Sequence, residues 1–252
     1  MEKFHSNYKY ETNWLERTEL LIGNKKLNTL KNSNVLIVGL GGVGAYAAEQ
    51  ICRAGVGNMT IADGDVVEES NRNRQLPALI STTGQSKTEI MAKRLQDINT
   101  ELKITTVNDF ISDNNTSQLL QNQAYDYVVD AIDTLSPKVF LLYEAFKMGL
   151  NTVSSMGAGG KLNPLHIQVT DISESYNCRL ARGLRKRLSK LGIKNGIKVV
   201  FSPEEISKDA VREEKGRNKK STVGTISYMP PIFGCFIASV VIKDLIGETP
   251  TN

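Results

Sequence analysis

The run Val35–Gly44, VLIVGLGGVG, is an apolar segment that ends in a cluster of glycines. Consecutive aliphatic side chains suit a strand covered on both faces, and the glycines suit a tight turn into a helix starting near Val43. Gly39, Gly41, Gly42 and Gly44 carry no side chain to hold an anion at a distance. The helix behind them would aim unpaired N–H groups and a partial positive charge at that anion. Asp63 closes the next apolar run, where an open α/β sheet hydrogen-bonds a ribose. The chain is therefore read as a nucleotide binder.

The rest of the pattern fits a parallel sheet with helices on both faces. Strands are expected over 34–38, 58–62, 103–107, 125–129 and 151–155, with helices near 43–54, 87–98, 115–122 and 137–148. In the first helix Val43, Ala47, Ile51 and Ala54 share a face that would pack on the sheet. After Gly160 the pattern changes. Runs 166–170 and 198–201 read as strands flanking a basic helix, and 231–246 reads as an apolar closing helix. The fold class is α/β, a Rossmann-like, mostly parallel sheet with a C-terminal extension of further strands and the basic helix. One domain over 1–252 is expected, with 25–160 as nucleotide-binding core and 161–252 as substrate-side extension. The mixed-charge tract Lys208–Lys220, around Gly216, reads as a mobile loop.

Cys52, Cys178 and Cys235 lie far apart with no C-x-x-C spacing, which indicates neither a zinc site nor a disulfide framework and fits a reducing cytosol. The first residues are too polar for a signal peptide, and the apolar stretch 231–242 is too short to span a bilayer. A net charge of +4 is mild, but its distribution is uneven: Arg179–Lys198 holds eight Lys or Arg and no acid. Leu180, Leu184, Leu188 and Leu191 recur there at helical spacing, so one face can pack while Arg182, Arg185, Lys186 and Lys190 point elsewhere. Composition alone favours a solvated helix face, with a nucleic-acid contact as the second reading.

The glycine cluster has company. Asn71, Arg74 and Gln75 stand in SNRNRQ, Lys87 follows in GQSK, and the fourth strand runs into DAID, Asp130–Asp133. All lie just past the carboxyl ends of expected strands, where an open sheet binds its ligand. A redox dinucleotide needs no such collection of Lys, Arg and a second-strand Asp. A triphosphate does, because cations neutralise its charge and a carboxylate can hold Mg²⁺. Taken singly, Arg74 could be a surface ion-pair partner, Lys87 a helix-start charge and Asp133 a helix cap. Their joint occurrence in this order favours ATP.

GLGGVG, DGD, SNRNRQ, GQSK and DAID together resemble the ATP-binding signature of the ubiquitin-activating-enzyme-like superfamily, whose members adenylate a carboxylate. SSMGAGGKLNPLHIQVTDISES, RLARGLRKRLSKLGI and VVFSPEE resemble, more narrowly, the tRNA threonylcarbamoyladenosine dehydratases, and the likeness runs from about Arg17 to Gly247. It implies that the four glycines pass the ATP phosphates and that Asp63 binds the ribose. Asn71, Arg74 and Lys87 would contact the phosphates, and Asp133 would hold magnesium with Asp130 behind it. It also implies a homodimer in which Arg17 reaches the partner's γ-phosphate. The substrate would be tRNA modified beside the anticodon, cyclised through an acyl-adenylate. Arg182, Arg185, Lys186 and Arg187 would then touch RNA, and a sulfur-transfer partner protein is left open. No cysteine is needed as acyl carrier: Cys178 is expected as a surface thiol and Cys235 as a helix-packing residue. His5 and His166 are placed on the tail and on a strand surface. The competing readings are a sulfur-carrier adenylyltransferase, whose usual paired zinc cysteines are missing here, a redox enzyme, and a non-catalytic RNA- or protein-binding relative.

Overall fold

The computed structural model of the chain describes residues 14–213 and 221–248. His5 lies outside them. Seven strands form one sheet: β1 (Asn34–Val38), β2 (Asn58–Ala62), β3 (Lys103–Val107), β4 (Tyr127–Asp130), β5 (Thr152–Ser155), β6 (Gln168–Asp171) and β7 (Lys198–Phe201). Their spatial order is β3-β2-β1-β4-β5-β7-β6, parallel throughout except for β6, which runs antiparallel to β7 at the edge. The order reverses direction between β1 and β4, which is where an open α/β sheet forms a crevice beyond the carboxyl ends of its strands. Two strands from the chain beyond residue 160, β6 and β7, extend this same sheet.

Side-chain alternation along β1 sorts the core into two layers. Val35 and Ile37 join Met59, Ile61, Val129 and Val153 under α3 (Gly44–Arg53), α4 (Lys87–Ile98) and α8 (Met229–Leu245). Leu36 and Val38 face the opposite way, with Val128, toward α5 (Thr116–Gln121) and α6 (Leu135–Lys147). The basic helix α7 (Arg179–Lys190) buries Ala181, Leu184 and Leu188 against Val139 and Leu142 of α6 and Val199 and Phe201 of β7. Among the described residues, the helices α1 (Glu16–Ile22) and α2 (Asn24–Asn32) precede the sheet.

Helix α8 crosses α3 closely because Gly234 permits it: a Cβ there would stand 2.6 Å from the Val43 carbonyl oxygen. With the sheet on one side and α8 on the other, α3 is buried nearly all round, beyond the single face its sequence suggested. Asp244, which interrupts the apolar run of α8, accepts from the Tyr127 hydroxyl at 2.7 Å and from Lys198 Nζ at 2.6 Å.

Several boundaries differ from expectation. Strand β4 ends on Asp130, and α6 starts at Leu135, ahead of Pro137, since proline is tolerated in a first helical turn. His166 sits in a short 3-10 turn, Pro164–His166, ahead of β6. The tract 208–220 is not simply a loop: Val211–Glu213 (β8) pairs antiparallel with Ser221–Val223 (β9), and residues 214–220 lie outside the described ones. The two cysteine placements are reversed. Cys178, at the N-cap of α7, is buried in the apolar cluster that this helix packs on, and Cys235 is exposed on the outward side of α8. Leu191, beyond the last turn of α7, is exposed.

Glu49 of α3 is 7% exposed and binds α4 through Arg94, whose Nε lies 2.5 Å from Oε2, while Arg53 Nε lies 2.9 Å from Oε1. Burial pushes the carboxyl upward in pKa, but the two guanidiniums outweigh it and hold it below its ordinary value. A depressed native pKa contributes stability that is present above the unfolded value of about 4.3 and is lost as pH falls through the native one. Glu49→Gln is expected to cost about 1–2 kcal/mol in urea melts at pH 7. The gap from wild type should close in melts below pH 4.

Candidate functional site

The loop after β1 and the loop after β4 meet at the point where the sheet order reverses. Gly39 has φ +93°, and a Cβ on it would stand 2.8 Å from the Ala131 carbonyl oxygen. At Gly44 a Cβ would fall 1.8 Å from Gly39 O, and at Gly42 one would fall 2.8 Å from Pro230 Cβ at the start of α8. These three glycines let the chain fold back on itself. Gly41 differs: the nearest atom to a Cβ there is Gln75 Nε2 at 3.8 Å. No side chain caps α3; in its first turn the Ala45 N–H reaches Gly41 O at 3.4 Å, and a helix start of this kind is where an anionic ligand can be met.

Asp63, at the end of β2, holds this loop from the side. Its Oδ2 accepts from the Leu40 N–H at 2.5 Å and its Oδ1 from the Asp65 N–H at 2.8 Å. Burial raises the carboxyl's pKa, opposed by the Lys87 charge and by the two N–H bonds. Each oxygen keeps a lone pair for a ribose hydroxyl. Lys87, 4% exposed on the first turn of α4, places Nζ 2.9 Å from Asp65 Oδ2. Ser86 caps this helix, accepting from the Glu89 N–H.

In SNRNRQ the residues divide their work. Asn71 is 7% exposed and its Oδ1 accepts from the Glu68 N–H at 3.1 Å, closing a 3-10 turn. Arg74 donates through Nη1 to Ser70 O at 3.0 Å and to Asn73 Oδ1 at 2.7 Å. Gln75, beside Gly41, has a buried Oε1 with no hydrogen-bond partner. A buried acceptor left unsatisfied costs about 1–3 kcal/mol, so a donor brought by a ligand would find this position favourable.

Asp130 and Asp133 separate sharply. Asp130 is fully buried; its Oδ2 accepts from Ser154 Oγ at 2.7 Å and pairs with Lys138 Nζ at 2.8 Å, and its Oδ1 accepts from the Ile132 N–H at 3.1 Å. Lys138 Nζ also donates to Ile132 O at 2.9 Å. Asp130 therefore braces the loop from inside, and Asp133 is exposed at its tip. The helix cap position falls on Thr134, not on Asp133. Sequence reasoning missed Lys138, although the signal was present: 138, 142 and 145 form one buried helical stripe.

Arg17 is not brought to these residues. It is exposed on α1, whose neighbouring Leu15 packs on Gly55 at the C-terminal end of α3, the end away from the glycine loop. That separation is about 15 Å, the length of the ten-residue helix α3. Leu20 and Leu21 on the same helix are 87% and 84% exposed. Along α7, Arg182, Lys186 and Arg187 are exposed. Arg185 is not among the outward charges: it is half-buried, donating to Ser175 O at 2.6 Å and holding the turn before the helix. Arg187 Nη1 donates to Ser136 Oγ at 3.0 Å, on the first turn of α6 just after Asp133. A Cβ on Gly183 would stand 3.0 Å from Leu135 Cδ2. The basic helix thus lies against the rim of the crevice. Away from that rim, burial pushes the Cys52 thiol up to about 12 and raises that of Cys235 as well, so neither is an activated nucleophile.

Lys138→Met is expected to destabilise the chain by about 3–5 kcal/mol, since Asp130 would be left charged and buried. Asp130→Asn in the same chain should recover most of that loss in urea melts, because the pair is then neutral. Losses that simply add would show that the two residues act separately.

The ThiF family profile matches residues 15–252. The tRNA threonylcarbamoyladenosine dehydratase of Bacillus subtilis is 39% identical over 240 residues, covering 92% of this chain and 94% of the relative. That of Escherichia coli is 39% identical over 201 residues, covering 76% of this chain and 75% of the relative. The crystal structure of the E. coli enzyme, TcdA, in complex with ATP superposes with a TM-score of 0.84 at 34% identity, covering 92% of this chain and 93% of that one. In fold, in sequence and over nearly its whole length, this chain belongs to the ThiF family.

Proposed function

We propose that this chain is an ATP-dependent dehydratase of N6-threonylcarbamoyladenosine in tRNA, which adenylates the threonyl carboxylate and lets the product ring close. What supports the reading is a juxtaposition: the glycine loop lies against Gln75 of SNRNRQ through Gly41, against Ala131 of DAID through Gly39 and against Asp63 through Leu40, and Arg187 fastens a basic helix beside DAID. The relatives that bear this activity in their names, and the E. coli structure with ATP, support it.

ATP would enter with its polyphosphate over Gly41 and the N-terminus of α3, and with its ribose on Asp63. A carboxylate oxygen of the threonyl group attacks the α-phosphorus, and the bond to the β-phosphate oxygen breaks. Pyrophosphate leaves with the electron pair, its growing charge offset by Arg74 and Lys87. The adenine N6 nitrogen, joined to the same group through the carbamoyl carbonyl, then attacks the acyl carbon and closes a five-membered ring; AMP departs with the former carboxylate oxygen, and the N6 proton passes to solvent. Tethering makes this second step intramolecular, so it needs no enzyme nucleophile.

Magnesium fits the exposed carboxylate of Asp133. Among the described residues no group of three or more His, Cys, Asp or Glu gathers to hold a metal, so the ion would rest on Asp133, phosphate oxygens and water. It would supply charge neutralisation on the polyphosphate. Arg17 sits too far from its own crevice to act there, and the exposed Leu20 and Leu21 beside it suit burial against a second copy that receives Arg17. No step uses sulfur, so a sulfur-transfer partner would act outside this reaction. Among the described residues no helix is long and apolar enough to cross a membrane, which suits a cytoplasmic enzyme working on tRNA.

Purified protein with ATP and Mg²⁺ is expected to release AMP and pyrophosphate when given threonylcarbamoylated tRNA, and not when given unmodified tRNA. Release driven by a sulfur-carrier protein with a Gly-Gly terminus would select the sulfur-carrier adenylyltransferase. In binding titrations, Arg182→Ala with Lys186→Ala should weaken tRNA affinity and lower the slope of log K against log salt by about 1.5, two phosphate contacts being lost. ATP affinity should not change. Arg185 is left in place because it holds Ser175.

A further inference from the structure

Asn73 lies between the two phosphate-side residues of SNRNRQ, Asn71 and Arg74, and is exposed, which by itself would mark it as a surface residue. Its carboxamide is nevertheless used at both ends. Nδ2 donates to the carbonyl of Thr225 at 2.9 Å, and Oδ1 accepts from Arg74 Nη1 at 2.7 Å. The two bonds fix which way the amide faces, because only the nitrogen can donate and only the oxygen can accept.

The anchor at Thr225 is itself held. The Gly224 N–H donates to Ala210 O at 2.8 Å, and the Gly160 N–H donates to Gly224 O at 2.7 Å. Thr225 Oγ1 donates to Val223 O at 3.1 Å, and the segment lies close on Gly159, where a Cβ would stand 3.1 Å from Thr225 Oγ1. Asn73 is thus tied to a segment 152 positions along the chain that is itself held by Gly160 and Ala210. Both Arg74 bonds use Nη1, the second going to Ser70 O. Nε and Nη2 remain to make a forked contact with phosphate oxygens.

We propose that Asn73 is a positioning residue: anchored on the Thr225 carbonyl, it presents Oδ1 to Arg74 and holds that guanidinium ready for the ATP polyphosphate. The inference rests on the ATP-dependent reading above. An arginine side chain has many rotamers, and one fixed before the ligand arrives loses less freedom on binding. Asn73 touches neither nucleotide nor RNA in this account; it acts through Arg74.

A double-mutant cycle tests this. Calorimetric titration of Mg-ATP into wild type, Asn73→Ala, Arg74→Ala and the double variant gives four dissociation constants. Asn73→Ala is expected to weaken ATP about 5-fold, the loss set by freeing one long side chain. In the Arg74→Ala background the same change should have no further effect, and all four proteins should melt together. A purely structural role would give the same loss in both backgrounds, and that result, or a wild-type affinity in Asn73→Ala, would overturn the inference while leaving the ATP reading intact. Failure of the wild-type chain to bind ATP at all would overturn the functional reading and this inference with it.

Discussion

The contact between Gly39 and the carbonyl of Ala131 sets the rest of the site. It brings the loop after β1 against the loop after β4, and only a residue without a Cβ, at φ +93°, can sit there. Once the two loops touch, the N-terminus of α3 and the tip carrying Asp133 share one crevice. Asp63 adds a second restraint through Leu40, and Pro230 closes the loop from above over Gly42. Three glycines therefore serve the fold, and Gly41 is the one whose missing side chain leaves room for something else.

The charges around the crevice fall into two kinds. Asp130 and Lys138 are sealed inside and hold the loop in shape, while Asp133 and Arg74 stand closer to solvent, where a polyphosphate can reach them. Lys87 lies between these extremes, nearly buried but paired to the half-exposed Asp65. A polyphosphate that draws Lys87 away from Asp65 would exchange one ion pair for another, which costs less than baring a buried ammonium.

Much of this was legible in the sequence. Strands β1, β2, β3 and β7 and helix α4 lie where hydrophobic pattern and cap residues put them, because each is governed by local periodicity and a clear stop signal. The site motifs also fall beyond strand ends as expected. What was hidden depends on a partner that periodicity within one element does not show. Lys138 is buried because Asp130 is there to meet it. Arg185 turns inward because Ser175 offers a carbonyl. Cys178 joins the apolar cluster that α7 packs on, and β8 pairs with β9, so neither is announced by its own stretch of sequence. Asn73 reads as one more polar residue until Thr225 stands opposite.

The central claim is that the crevice directs a carboxylate onto the α-phosphorus of ATP. Isotope transfer reads that event directly: threonylcarbamoylated tRNA carrying ¹⁸O in its threonyl carboxylate is converted with ATP, and the released nucleotide and phosphates are weighed by mass spectrometry. The account predicts one ¹⁸O in AMP and none in pyrophosphate. Label appearing in inorganic phosphate, with ADP as the nucleotide product, would mean that the γ-phosphate had been attacked and would contradict it.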